Sequence, residues 1–126
     1  MTVWLARRIV VAIHEIQLAE HGGAPGIRDP GLLEGALARP LNHAGYGEPE
    51  VAGLAALYAL SIIRIHPFID GNKRTGFAVM TTFLALNGVD FDPPEVEATI
   101  TILRLAEGSL TDENFTAWVR GWCKTP

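Results

Sequence analysis

The sequence HPFIDGNKRTG, residues 66–76, lies near the middle of the 126-residue chain, between two long apolar segments. From Asn72 onward the pattern is helical, so Lys73 and Arg74 fall in the first turn of a predicted helix. Cations are unfavourable there, because the free N–H groups already make a helix start positive. A phosphate bound at the helix N-terminus and held by both cations would offset this repulsion between the cations and the positive helix start. A departure from local preference without structural gain is typical of a functional site.

The polar residues of this motif suit chemistry on phosphates. Gly71 allows a sharp turn and close approach of a ligand to the backbone, and the Asn72 amide can donate to a phosphoryl oxygen. Asp70 suits magnesium, which takes oxygen ligands and usually shares them with phosphates. His66 can accept a proton from an incoming hydroxyl near neutral pH. The alternative is a polar turn with a buried histidine and a surface salt bridge, but the whole set in residues 66–74 favours function.

Composition and charge narrow the classes of function. A chain of this length predicts one domain, residues 1–126, and 48% hydrophobic residues argue against disorder. The net charge of −4 offers no basic surface for nucleic acid. The single cysteine, Cys123, excludes a disulfide framework and a cysteine metal site. The apolar runs at residues 9–13 and 51–63 are too short for a signal peptide and a membrane span, so we expect a cytoplasmic protein without membrane contact.

A first helix is predicted over about residues 5–21, where apolar residues recur at helical spacing and Gly22-Gly23 end the pattern. His14 lies within this segment and His21 lies at its end. We interpret both as helix-surface or last-turn residues without a functional role.

A second helix is predicted over about residues 30–38. Asp29-Pro30 is typical of a cap and a first helical residue, and Arg39-Pro40 is typical of a helix end. Residues 41–49 then form a loop. From the residues alone, this loop is interpreted as an ordinary surface connection.

Two central helices flank the motif. Residues 51–65 are apolar on almost every side, which predicts a buried helix, and residues 72–87 predict the second. Phe68 is expected to anchor the connecting loop in the core. Arg64 is the charged exception in the first helix. A cation near a helix C-terminus is favourable in itself, but the position beside His66 favours a side chain that points into the phosphate site.

The C-terminal part of the chain predicts two more helices. One starts at residues 92–94, runs to about residue 106 and ends at Gly108. Thr111 caps the other, whose aromatic stripe we interpret as core packing. Five to six helices with short loops and no repeat predict an all-α bundle, in which the motif loop connects the two central helices.

Six residues of the motif resemble the signature of the Fic/Doc superfamily, usually written H-x-F-x-[D/E]-G-N-[G/K]-R: His66, Phe68, Asp70, Gly71, Asn72 and Arg74. Typical Fic adenylyltransferases carry a second glycine in place of Lys73 and a second arginine in place of Phe77. Both departures are similar to the death-on-curing (Doc) branch of toxin–antitoxin modules. Residues 21–34 and 38–40 also resemble that branch, so the resemblance covers about residues 5–123. In Fic-like proteins the segment before the central helix tends to lie over the active site, so the resemblance implies that residues 41–49 are a docking edge for a protein substrate.

The residues alone support phosphate-directed chemistry on a hydroxyl, in which catalysis is mostly positioning and charge stabilisation. The resemblance implies more, because a lysine at position 73 accompanies reversed binding of ATP in Doc-like proteins, with the γ-phosphate facing the target. It implies a protein kinase that modifies a Ser or Thr hydroxyl of a translation factor, by family analogy elongation factor Tu, and so arrests protein synthesis. In that scheme His66 is the base, Asp70 holds Mg²⁺, and the nucleotide site consists of Arg64, Gly71, Asn72, Lys73 and Arg74.

Two other functions stay open at this level. One is adenylylation, the commoner Fic chemistry. The other is a degenerate fold that only binds a partner, although every polar position of the motif is retained.

The resemblance also implies how the protein is inhibited. Many Fic proteins carry an inhibitory [S/T]-x-x-x-E-[G/N] helix, but the candidates Glu34-Gly35 and Glu107-Gly108 have Pro30 and Leu103 where Ser or Thr is required. We therefore expect a separate antitoxin, whose disordered tail folds into a groove on the bundle.

Overall fold

A computed structural model describes residues 1–45 and 50–125, and this part of the chain contains six helices. Their bounds are α1 Arg7–His21, α2 Pro30–Ala44, α3 Val51–Ile65, α4 Asn72–Leu86, α5 Glu95–Glu107 and α6 Asp112–Trp122. The predicted all-α fold is confirmed. Within the same residues no helix combines the length and apolar character that crossing a membrane requires.

Helix α3 lies at the centre, because its apolar residues leave almost no polar face. Most of its side chains are buried, and it packs against α2, α4 and α6. Close contact with α4 depends on Gly76, where a Cβ would lie 2.9 Å from Ile63 Cγ1 and 3.2 Å from the Ala59 carbonyl oxygen. The two central helices therefore fix the motif between them, as the sequence predicts.

Helix α2 continues past the proline that was predicted to end it. It runs to Ala44, with Pro40 inside the helix. Pro40 cannot donate to the carbonyl four residues earlier, but Pro40 and Ala36 are both buried in the packing of α2 against α3. Burial of this apolar face offsets the lost hydrogen bond, so residues 41–44 are helical rather than part of a loop. Residues 46–49 of the predicted docking edge lie outside the described residues.

Several helix ends follow the predicted chemistry. The Asp29 side chain accepts from the Gly31 N–H at 2.8 Å, and the Thr111 hydroxyl accepts from the Asn114 N–H at 3.1 Å. Gly108 ends α5 with φ of 83°, in the left-handed region that favours glycine. These helix ends are thus determined by residues that are close together in the sequence.

One small sheet has no counterpart in the predicted elements. Strand β1, Asp90–Phe91, pairs antiparallel with β2, Cys123–Lys124, so that Asp90 lies opposite Lys124. Two-residue strands are too short to give a period-two pattern. The pairing joins the segment after α4 to the end of α6.

Candidate active site

The motif loop, residues 66–71, connects the end of α3 to the start of α4 and is left-handed at both ends. His66 caps α3 with φ of 56° and ψ of 59°, and Gly71 caps α4 with φ of 77° and ψ of 18°. Glycine adopts this conformation without steric cost, whereas histidine does not. The two turns bring the C-terminus of the buried helix and the N-terminus of the next one together within six residues.

The loop separates anchoring residues from presented ones. Phe68 is 1% exposed and Asn72 is 6% exposed. His66, Asp70, Lys73 and Arg74 are exposed on the same loop and the same first helical turn. The structure therefore brings the predicted catalytic histidine, the predicted metal ligand and the two predicted phosphate-binding cations to one solvent-facing region.

Asn72 holds the loop from the inside. Its Oδ1 accepts from the Phe68 N–H at 3.0 Å, and its Nδ2 donates to the Phe68 carbonyl oxygen at 3.0 Å. From the sequence, this amide was instead predicted to donate a hydrogen bond to a phosphoryl oxygen. The buried side chain satisfies both backbone groups of Phe68, which would otherwise be unpaired in the core.

Asp70 is held as an ionised carboxylate. Its Oδ2 accepts from the Ala24 N–H at 3.1 Å and its Oδ1 from the Gly71 N–H at 2.8 Å. The Ala24 hydrogen bond, then the Gly71 hydrogen bond, and then the charges of Arg74 and His14 lower the pKa of Asp70 below its ordinary value.

The Asp70 carboxylate also fits a magnesium ion. Each oxygen keeps a free lone pair after accepting one N–H. Residues 1–45 and 50–125 contain no cluster of three side chains able to ligate a metal. A magnesium ion at Asp70 would accordingly share its remaining coordination positions with phosphates and water, which is its usual behaviour.

The start of α4 is positive, and the Asp70 carboxylate just before it is the nearby negative charge. The first turn of α4 has no acidic residue and no side-chain cap, and its first backbone bond runs from the Thr75 N–H to the Gly71 carbonyl at 2.9 Å. The N–H groups of residues 72–74 therefore have no acceptor within the helix. Neither Lys73 nor Arg74 belongs to an ion pair in the described part of the chain. Such a helix start attracts an anion.

His14 was predicted to lie on the helix surface, and this prediction is wrong. It is 3% exposed, its Nε2 lies 2.8 Å from the Asp70 carbonyl oxygen, and its ring stacks on Phe68 with centroids 3.9 Å apart. Because a carbonyl only accepts, Nε2 carries the proton. The sequence signal for this burial is spacing, because His14 lies one helical turn after the apolar Val10. In the structure Val10 is fully buried. His21 is exposed, as predicted.

The glycine-rich segment between α1 and α2, residues 22–29, forms the other wall of the loop. Ile27 pairs with Phe68 as in an antiparallel sheet, and the Ile69 N–H donates to the Gly26 carbonyl at 3.0 Å. Gly23 has φ of 126°, and a Cβ there would lie 3.0 Å from Asp70 Oδ2. Glycine is therefore needed at this point for the segment to approach the carboxylate. None of the site residues predicted from the sequence lies in this segment.

Arg64 is engaged elsewhere. Its Nη2 lies 2.6 Å from Asp112 Oδ1, at the start of α6. The acidic residues of that first turn suit both the helix dipole and the guanidinium. A contact between Arg64 and a phosphate would require this partly exposed pair to open, so its place in the nucleotide site stays a prediction.

Comparison of the sequence with known proteins identifies a family and several relatives of this chain. The model of the Fic/DOC family matches residues 4–84, which contain the motif loop and the segment packed on it. Protein kinase doc of Escherichia phage P1 is 36% identical over 95 residues, which cover 74% of this chain and 75% of the phage protein. Toxin Doc of Mycolicibacterium smegmatis is 40% identical over 104 residues, which cover 77% of each chain.

A more distant similarity reaches the Fic branch. Protein adenylyltransferase Fic of Drosophila ananassae is 39% identical over 64 residues, which cover 51% of this chain and only 13% of the fly protein. The resemblance to the Fic/Doc superfamily, and to its Doc branch, is thereby confirmed. The matches to the two Doc proteins cover about three quarters of each chain that is compared, whereas the match to the fly adenylyltransferase covers only 13% of that protein.

Proposed function

Because the chain belongs to the Fic/DOC family, we propose that it is a Doc-type toxin that transfers the γ-phosphate of ATP to a Ser or Thr hydroxyl of a translation factor. The target by family analogy is elongation factor Tu, and the consequence is arrested protein synthesis in the cytoplasm. The observation that carries the proposal is the start of α4, where exposed Lys73 and Arg74 lack a carboxylate partner among the described residues. Exposed His66 lies on the loop just before it.

The nucleotide is held through its phosphates. Free N–H groups of residues 72–74 donate to phosphate oxygens, and the side chains of Lys73 and Arg74 add charge-assisted bonds. Gly71 carries no side chain, so the phosphates reach the backbone. Arg64 joins this set only if its pair with Asp112 opens.

Lys73 sets which phosphate faces the target. A glycine at this position, as in the typical Fic motif, leaves open space at the helix start. The lysine side chain occupies that space and offers a cation to the end of the triphosphate. The relative named Protein kinase doc, matched over 75% of its length, supports phosphoryl transfer rather than AMP transfer.

Asp70 would hold the magnesium ion, in an ionised form that the Ala24 and Gly71 N–H groups already favour. When bound, the ion supplies positive charge that offsets the charge of the phosphates. His14 and Asn72 hold the backbone from which the carboxylate extends.

His66 takes the proton of the target hydroxyl. The hydroxyl oxygen forms a bond to the γ-phosphorus while the bond between that phosphorus and the bridging oxygen of ADP breaks, and the proton moves to the imidazole. The exposure of His66 suits a protein substrate, because a large partner must bring its hydroxyl to the ring from outside.

Adenylylation is the second candidate, and the partial similarity to the fly adenylyltransferases favours it. In that case the nucleotide lies the other way round and AMP is transferred. The same base and the same helix start would serve both reactions, so the products separate them.

The experiment uses ATP labelled separately at the α and γ positions, with magnesium and purified elongation factor. We expect the γ label alone on the target, with the added mass of one phosphoryl group. His66→Ala should abolish transfer while the thermal unfolding curve stays unchanged, and His21→Ala, a matched change at an exposed histidine, should transfer normally. Transfer of the α label would establish adenylylation instead, and normal transfer by His66→Ala would remove that residue from the mechanism.

The relative named Toxin Doc supports a separate antitoxin as partner. Expression of this chain alone should slow growth, and co-expression of a neighbouring small gene should restore it. Harmless expression of the intact protein would contradict the toxin assignment.

A further inference from the structure

His66 has a backbone conformation that L-amino acids avoid. Its φ of 56° makes it the only non-glycine residue with positive φ in the described part of the chain. A left-handed residue suffers a close approach of Cβ to the following carbonyl, and it persists only when the surroundings enforce it. The conformation also determines where the imidazole is directed, because the turn occurs at the Cα that carries the ring.

Arg28 is the residue that encloses this turn. Its Nε donates to the His66 carbonyl oxygen at 2.7 Å, and its Nη2 donates to the Ile65 carbonyl oxygen at 2.9 Å. Its backbone N–H donates to the Pro67 carbonyl oxygen at 2.8 Å. One residue thus binds three successive carbonyl groups across the left-handed position.

The chemistry of the guanidinium suits this task. Carbonyl groups at the end of a helix lack intrahelical donors and carry the negative end of the helix dipole. A planar fork with several fixed donors can serve two adjacent carbonyl oxygens, whereas a lysine ammonium is a single point of charge on a flexible stem. Two donor groups of the Arg28 guanidinium bind backbone carbonyl oxygens. Arg28 therefore serves the backbone, whereas Lys73 and Arg74 are proposed to bind phosphates.

We propose that Arg28 is a positioning residue, which holds the His66 backbone in its left-handed conformation and so directs the imidazole toward the target hydroxyl. The inference rests on the proposed function, in which His66 is the base. It assigns a mechanistic purpose to the segment between α1 and α2. Arg28 acts through His66 and does not touch the nucleotide.

The test compares Arg28→Met, Arg28→Lys and the matched control Arg8→Met, a change at an exposed arginine of α1. In Arg28→Met we expect kcat to fall at least about tenfold, since small misplacements of a catalytic group are costly, while the KM for ATP stays unchanged. Arg28→Lys should retain an intermediate kcat. Added guanidinium ion should restore part of the kcat of Arg28→Met, and sodium chloride at equal ionic strength should not. Arg8→Met should behave like the unmodified protein.

The second readout does not depend on activity. In labelled protein, the ¹³Cα shift and the HN–Hα coupling of His66 report its φ by NMR. Both should change in Arg28→Met, while residues in α5 and α6 keep their shifts, which also shows that the variant is folded. If Arg28→Met does not fold, Arg28→Lys carries the same measurement.

Specific results would overturn the proposal. An unchanged His66 coupling in the Arg28 variants would show that the arginine does not hold the turn. A higher KM for ATP with unchanged kcat would make Arg28 a phosphate ligand instead. If the unmodified protein transfers neither phosphate nor AMP, the proposed function fails, and the His66 coupling alone then decides whether Arg28 controls the backbone.

Discussion

Replacement of Asn72 by alanine tests whether the motif loop is built from inside the protein. The amide makes two hydrogen bonds of 3.0 Å to the N–H and the carbonyl of Phe68, and both residues are buried. Asn72→Ala leaves one buried donor and one buried acceptor without partners, each at about 1–3 kcal/mol. Together the two costs amount to about 2–6 kcal/mol. Because the loop can relax toward water, we expect a value in the lower half of this sum, a fall of about 3 kcal/mol in the free energy of unfolding.

The size of this effect is easy to measure. A loss of about 3 kcal/mol is a large part of the 5–15 kcal/mol that stabilises a typical domain. For a chain of this size it corresponds to a fall in Tm of about 10 °C. Urea unfolding followed by circular dichroism gives the free energy directly, with an unchanged m-value if the native state stays compact. Asn114→Ala, at an exposed position of α6, should change stability little.

A second substitution separates hydrogen bonding from size. Asn72→Asp keeps the volume and one acceptor but places a carboxylate oxygen against the Phe68 carbonyl. Burial and that oxygen raise the folded-state pKa of the new carboxyl above its unfolded value. The protonated form can still donate, so stability is retained at low pH and lost as pH rises through the raised pKa. The difference from the unmodified protein should thus be larger at pH 7 than at pH 5.

A loss of less than about 1 kcal/mol in Asn72→Ala, the net value of one ordinary hydrogen bond, would show that the amide does not hold the motif loop. A loss of ATP affinity with normal stability would instead support the prediction from sequence, in which the amide donates to a phosphoryl oxygen. Isothermal titration with ATP on the same samples distinguishes the two outcomes.

Three further predictions concern the same region. His14→Phe keeps an aromatic ring against Phe68 but removes the donor to the motif loop, so thermal unfolding should show a loss of about 1 kcal/mol; an unchanged Tm would contradict the role of the hydrogen bond. In a ¹³C NMR titration, Asp70 should titrate below its ordinary value of 3.8. Because its folded pKa is lowered, the stabilisation it contributes is present above the unfolded pKa and lost as pH falls through the folded one, and a midpoint at or above 3.8 would contradict this. Lys73→Ala should weaken ATP binding about tenfold, or about 1.4 kcal/mol, while Lys124→Ala, at an exposed position of β2, should not; equal affinities would remove Lys73 from the site.

The sequence alone predicts the central helices and the motif because their signals are local. The apolar run of α3, the glycine at position 71 and the helical pattern after it depend only on neighbouring residues. The same locality explains the correct caps at Asp29 and Thr111. An all-α bundle follows from such elements without knowledge of their contacts.

The errors come from contacts between distant residues. Pro40 stays helical because α2 packs on α3, and a local rule about proline cannot include that burial. His14 binds a carbonyl that is 56 residues away in sequence, and Arg28 binds one 38 residues away. Both residues hold the motif loop from α1 and from the segment that follows it. The supporting half of the candidate site therefore emerged only from the structure.

A crystal structure with magnesium and a non-hydrolysable ATP analogue tests directly whether the start of α4 holds the triphosphate. The proposed function predicts phosphate oxygens at the N–H groups of residues 72–74, with Lys73 and Arg74 against the triphosphate and the γ-phosphate nearest to His66. A nucleotide bound away from the start of α4, or with its α-phosphate nearest to His66, would contradict it.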